Sequence, residues 1–98
     1  MIQQDFQGVL NEVLNIHIAK NHDYGDSFSK LFEKIGMPYA YGHMAEKLER
    51  VWTLMNSDAK VKNESVRDSL LDLIGYAAMT VVEMSKPEAH WVANTTGQ

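Results

Sequence analysis

Glu64-Ser65-Val66-Arg67-Asp68-Ser69-Leu70-Leu71-Asp72-Leu73-Ile74-Gly75-Tyr76-Ala77 opens the most periodic stretch of this 98-residue chain. Val66, Leu70, Leu73, Ile74, Ala77, Val81 and Met84 recur at intervals of three and four, the spacing of one buried helix face. Asn63 or Ser65 can cap the start, and Lys86-Pro87 stops the helix near Ser85. A second face carries Glu64, Asp68 and Asp72, which stack along about 12 Å at the helical rise of about 1.5 Å per residue. Like charges at this spacing repel by a few tenths of a kcal/mol per pair. A divalent cation, neighbouring lysines and arginines, or water must offset that repulsion. Asp72 is the hardest of the three to read as plain surface. It lies mid-helix between Leu71 and Leu73, where aspartate is a poor helix former. Tyr76 continues the acid face one turn later.

Outward toward the N-terminus, a helix is expected from about Tyr39 or Tyr41 to Met55. Met44, Leu48, Val51, Trp52 and Met55 form its apolar stripe, with Trp52 in the core. Its polar face carries His43, Glu46, Lys47, Glu49 and Arg50, and Asn56-Ser57-Asp58 ends it. Before it, Gly36 is a natural helix stop and Pro38 prevents continuation of a short helix bearing Phe28, Leu31, Phe32 and Ile35. Asn21-His22-Asp23-Tyr24-Gly25-Asp26-Ser27 is a break, with Asp26 or Ser27 as the next cap. A first helix from Asp5 to about His22 is read from Phe6, Val9, Leu10, Val13, Leu14, His17 and Ile18. Residues 1–87 thus form one helical domain. Residues 88–98 are expected to be a tail, flexible or at an oligomer interface, with His90-Trp91-Val92 its one apolar spot. The fold class is all-α, a small four-helix, bundle-like domain.

Composition bounds the function. Apolar residues make up 45% of the chain and charged residues 22%, which is globular. A core this small gives marginal stability, so completion by a homo-oligomer is expected. The net charge of −4 and the lack of a Lys/Arg-rich run argue against a nucleic-acid polymer as partner. There is no cysteine, which removes disulfides and thiolate metal sites. No membrane span or signal peptide is legible, and a cytoplasmic protein is expected.

Three constellations could carry chemistry. The acid ladder, joined by Glu46 and Glu49, could cage Mg²⁺, a cation that takes hard oxygen ligands and keeps several waters. The bland alternative is a solvated or salt-bridged face, with Glu46 paired to Arg50 at the favourable four-residue spacing. Lys47 and Arg50 could instead meet phosphate oxygens. The Lys20 to Ser27 loop could bind an anion at the free amides of the next helix, with Lys20 helping and Tyr24 stacking on a base. Its bland alternative is an ordinary capped turn. The four histidines show no metal-ligand spacing.

Lys20…Asp23-Tyr24-Gly25-Asp26-Ser27-Phe28, then Glu46-Lys47-x-x-Arg50, then Glu64-Ser65-x-x-Asp68-x-x-x-Asp72-x-x-Gly75-Tyr76-Ala77, together resemble the phage and bacterial family called nucleotide modification associated domain 1. The resemblance covers about residues 17 to 84. That family is in turn similar to the MazG-like all-α nucleoside triphosphate pyrophosphohydrolases, whose acids on two adjacent helices hold Mg²⁺ and activate water. The similarity implies Glu46-x-x-Glu49 as the first acid pair. The second pair departs from the pattern, because Ser65 stands three residues before Asp68 and Glu64 stands four before it.

Three readings follow. In the first, the chain captures a phosphorylated nucleotide without catalysis, including a cyclic or ADP-ribose-type immune signal, as small helical phage sponge proteins do. Lys20, Lys47 and Arg50 would meet phosphate, Tyr24 or Tyr76 the base, and Asp26, Asp68 and Asp72 the remaining polar groups. In the second it is a Mg²⁺-dependent pyrophosphohydrolase, with Glu46, Glu49, Asp68 and Asp72 catalytic and Glu64 a further metal ligand. In the third it is a structural or protein-interaction module.

Overall fold

A computed structural model describes residues 2–57 and 62–87, with the side chains of Tyr24 and residues 62–64 outside the description. It consists of α1 (Gln3–Tyr24), α2 (Ser27–Ile35), α3 (Met37–Met55) and α4 (Lys62–Met84), with no strand among the described residues. The expected all-α fold is what forms. The expected tail, residues 88–98, and residues 58–61 lie outside the described residues.

Two glycines set the turns. Gly25 (φ 71°) and Gly36 (φ 86°) are the positive-φ residues, and both close the preceding helix. The Gly25 amide donates to the Asn21 carbonyl at 2.9 Å and the Gly36 amide to that of Phe32 at 2.7 Å. Only a residue without Cβ enters this region cheaply. Pro38 acts one element later than expected. It sits in the first turn of α3, where its missing N–H loses nothing, so α3 starts at Met37. At the other end α1 starts earlier, with Ile2 at the cap position instead of Asp5. Asp26 holds the cap position of α2 without a side-chain bond to the helix amides.

The principal packing is α3 against α4, with α1 and α2 lying on the pair. His43 faces Tyr76, and Lys47, four residues on, meets Asp72, four residues back, so α3 and α4 run antiparallel. Val13, Phe32, Ala40 and Leu71 are the buried apolar residues, and Ser69, Thr80 and Glu83 are buried beside them. Thr80 satisfies its hydroxyl by donating to the Tyr76 carbonyl at 2.6 Å. Arg67 clamps α4 to α1 through both oxygens of Glu12, at 2.7 and 2.8 Å. This bond, above all other causes, holds the Glu12 carboxyl below its ordinary value.

The apolar stripes are buried less than their spacing predicts. In α4, Leu70 and Val81 are exposed, and burial falls instead on Ser69, Leu71, Thr80 and Glu83. In α3, Leu48 and Met55 are more than half exposed, and Trp52, read as core, is 62% exposed. In α1 only Val13 of the seven-residue stripe is buried. Periodicity reports which face must be covered. It does not report whether the same chain covers it.

Candidate functional site

The two glycine turns set α2 against the α3–α4 pair and bring its first turn to α4, where Phe28 meets Tyr76 and Ser29 meets Glu83. Between α1, α2 and the α3–α4 pair lies a cleft of about 550 Å³, within the range of about 300–1,000 Å³ typical of small-molecule sites. Its wall has three chemically distinct parts.

At one end, Asp72 on α4 joins two ammonium groups. Lys20 of α1 lies 3.3 Å from Oδ1 and Lys47 of α3 lies 3.2 Å from Oδ2. Lys47 and Asp72 are partly buried, whereas Lys20 is half exposed. Lys20 and Asp72 line the cleft; Lys47 stands outside the wall and reaches Asp72 from α3. Two cations on one carboxylate leave one positive charge in excess at this cluster.

The middle of the cleft is aromatic. The His43 and Tyr76 rings stack at 4.5 Å with an interplanar angle of 12°. Tyr39 meets His43 edge-on at 4.7 Å. Phe28 lies 5.4 Å from Tyr39 and 6.1 Å from Tyr76. Four rings from three helices thus form one surface. Burial, followed by the neighbouring Tyr76, pushes the Tyr39 hydroxyl above its ordinary value, so it is neutral at physiological pH.

The far end is built on Glu83, which is 7% exposed. The Ser29 hydroxyl donates to its Oε2, and Lys86 donates to the same oxygen at 2.8 Å. The bond to Glu83 is also what raises the Lys86 ammonium above its ordinary value. Residues 25–29, the entry to α2, also line the cleft. The first amides of a helix have no partner within it, and the helix dipole adds positive potential there.

Of the residues singled out by sequence, Lys20, Asp26, Asp72 and Tyr76 line the cleft and Lys47 joins them through Asp72. Arg50 and Asp68 are exposed and lie outside the wall. Glu46 and Glu49 are exposed on α3, and Glu46 forms no ion pair with Arg50 among the described residues. The Glu64 and Tyr24 side chains lie outside the description. Among the described residues no three His, Asp or Glu side chains are placed to hold a metal ion together. Sequence reasoning missed Phe28, Tyr39, His43, Ser29, Glu83 and Lys86 as cleft residues. The signal for His43 and Tyr76 was their shared helical phase with Lys47 and Asp72, four residues away on each helix.

Residues 20–84 match the family described as nucleotide modification associated domain 1, and the chain belongs to that family. The matched span includes both lysines at Asp72, all four rings and Glu83. No curated protein and no solved structure shows significant similarity to the chain.

Proposed function

As the chain is a member of the nucleotide modification associated domain 1 family, we propose that its cleft binds a phosphorylated nucleotide and releases it chemically unchanged. The observation that carries this reading is the order of groups along one wall. Lys20 beside Asp72 at one end and the α2 entry toward the other flank a four-ring surface, which suits a molecule that carries phosphate next to a base. Lys20 and the α2 amides take the phosphate. Phe28 and Tyr76 offer ring faces to the base, a contact worth about 1–3 kcal/mol per base. Asp72 accepts from a ribose or base donor, and Lys47 acts on the ligand through Asp72.

Capture is favoured over Mg²⁺-dependent hydrolysis by the state of the acids. Asp72 is already paired with two lysines, and Glu46 and Glu49 lie outside the cleft wall. A hydrolytic metal needs carboxylates that converge on it and keep lone pairs for it.

The test uses nucleoside mono-, di- and triphosphates, cyclic dinucleotides and ADP-ribose compounds, incubated with the protein and Mg²⁺. Mass spectrometry then reads the bound and the free fractions. The proposal expects one class of nucleotide enriched and intact in the bound fraction. Conversion of the free pool to monophosphate and pyrophosphate would replace capture with hydrolysis. An empty bound fraction with an unchanged pool would leave the interaction-module reading.

A further inference from the structure

The α3–α4 pair has a second side, away from the cleft. Tyr41 is 67% exposed, Leu48 55%, Trp52 62% and Met55 57% on α3. On α4, Leu70 is 42% and Val81 59% exposed, with Ala77 exposed between them. Tyr41, Leu48 and Trp52 follow the buried Ala40 by roughly a quarter to a third of a turn, at about 100° per residue. Leu70, Ala77 and Val81 follow the buried Ser69 by the same angles. His43, Lys47, Asp72 and Tyr76 are displaced in the opposite sense. In antiparallel neighbours an equal rotation of the same sense points to the same side. The two stripes therefore form one apolar face, back to back with the cleft.

We infer that this face is the interface with a second copy of the chain, in which two α3–α4 hairpins close into a four-helix bundle. Tyr41 and Trp52, at about 150–250 Å² for each whole aromatic side chain, together expose on the order of 250 Å², and four aliphatic side chains that are 42–59% exposed add to it. A standard interface buries about 800 Å² per partner, and this face supplies a substantial part of one side of a dimer. Exposed apolar patches on monomers are typically about 300–600 Å² at most. Residues 88–98 are a poor alternative cover, because their only apolar residues are Ala89, Trp91, Val92 and Ala93. A stripe extending from Tyr41 to Met55 is about 21 Å long at the helical rise of about 1.5 Å per residue. A copy of the same hairpin matches that length and offers aromatic and aliphatic residues in return.

The test is light scattering on the full chain at tens of micromolar, with Trp52 fluorescence read in a Trp91→Phe background. The expected result is a mass of two chains and a buried-indole emission from Trp52 that shifts red on dilution. Leu48→Glu and Trp52→Glu each place a charge on the face without touching the described core. They are expected to raise the dimer dissociation constant at least about thirtyfold, as loss of a central anchor does, with unchanged helical circular dichroism. Phe6→Glu, on the exposed stripe of α1, should leave the mass unchanged. A monomeric wild type overturns the inference. So does an assembly broken by Phe6→Glu and not by Trp52→Glu. A monomer whose Trp52 becomes exposed only on removal of residues 88–98 overturns it in favour of the tail.

Discussion

Asp72 forms ion pairs with two lysines on two other helices, while Asp68, one turn earlier, is exposed and lies outside the cleft wall. Equal spacing along α4 therefore concealed unequal surroundings, and the difference comes from which helix crosses at each level. Glu83 is the converse case. The sequence singled out no role for it, yet it is the most buried carboxylate described, held by Ser29 and Lys86. Glu83→Ala leaves a buried hydroxyl and an ammonium without their acceptor, which should destabilise the domain by about 1–3 kcal/mol. Glu83→Gln keeps an acceptor for Ser29 and should lose less than half of that; urea unfolding of the two variants makes the comparison. Tyr39 sets an alkaline limit. Its folded value lies above the ordinary 10.0 because the phenolate is disfavoured by burial and by Tyr76. Its contribution is therefore full below that value and is lost as pH rises through the folded value. Unfolding midpoints measured across that range should fall more steeply for the wild type than for Tyr39→Phe.

At the scale of elements, the four helices, their order and the Gly36 stop were legible because each rests on local chemistry. Periodicity, the conformational freedom of glycine and the missing amide of proline all act within a few residues. Pro38 was assigned to the wrong side of the boundary, since a proline ends one helix and starts the next equally well. Gly36 offers a direct check. A Cβ there would meet only Pro38 Cδ at 3.8 Å, an ordinary contact, so the penalty of Gly36→Ala is conformational. At φ 86° and ψ −157° Gly36 lies in a region essentially reserved for glycine, which costs an L-residue about 1–3 kcal/mol, and equilibrium denaturation should show a loss of that size with no change in helical content. The aromatic surface was not legible at this scale. Phe28 reads as core of a short helix and His43 as a polar-face residue. They become neighbours of Tyr76 only when the antiparallel register of α3 and α4 and the reversal at Gly25 are known.

For the whole molecule, the two sides of the α3–α4 pair divide the work. One side holds the paired lysines, the rings and Glu83, and the other is an apolar face that the described residues leave open. Closing the second side would hold α3 and α4 in register, and that register sets His43 on Tyr76 and Lys47 on Asp72. Nucleotide binding in the cleft is tested by the melting temperature of wild type, Lys20→Ala and Tyr76→Ala with the nucleotide panel. A ligand that binds only the native state must raise it, by mass action. Nucleotide capture in the cleft predicts a rise with at least one phosphorylated nucleotide that shrinks in both variants, corresponding to about tenfold or greater loss of affinity in each. No rise with any nucleotide, or a rise equally large in both variants, would contradict it.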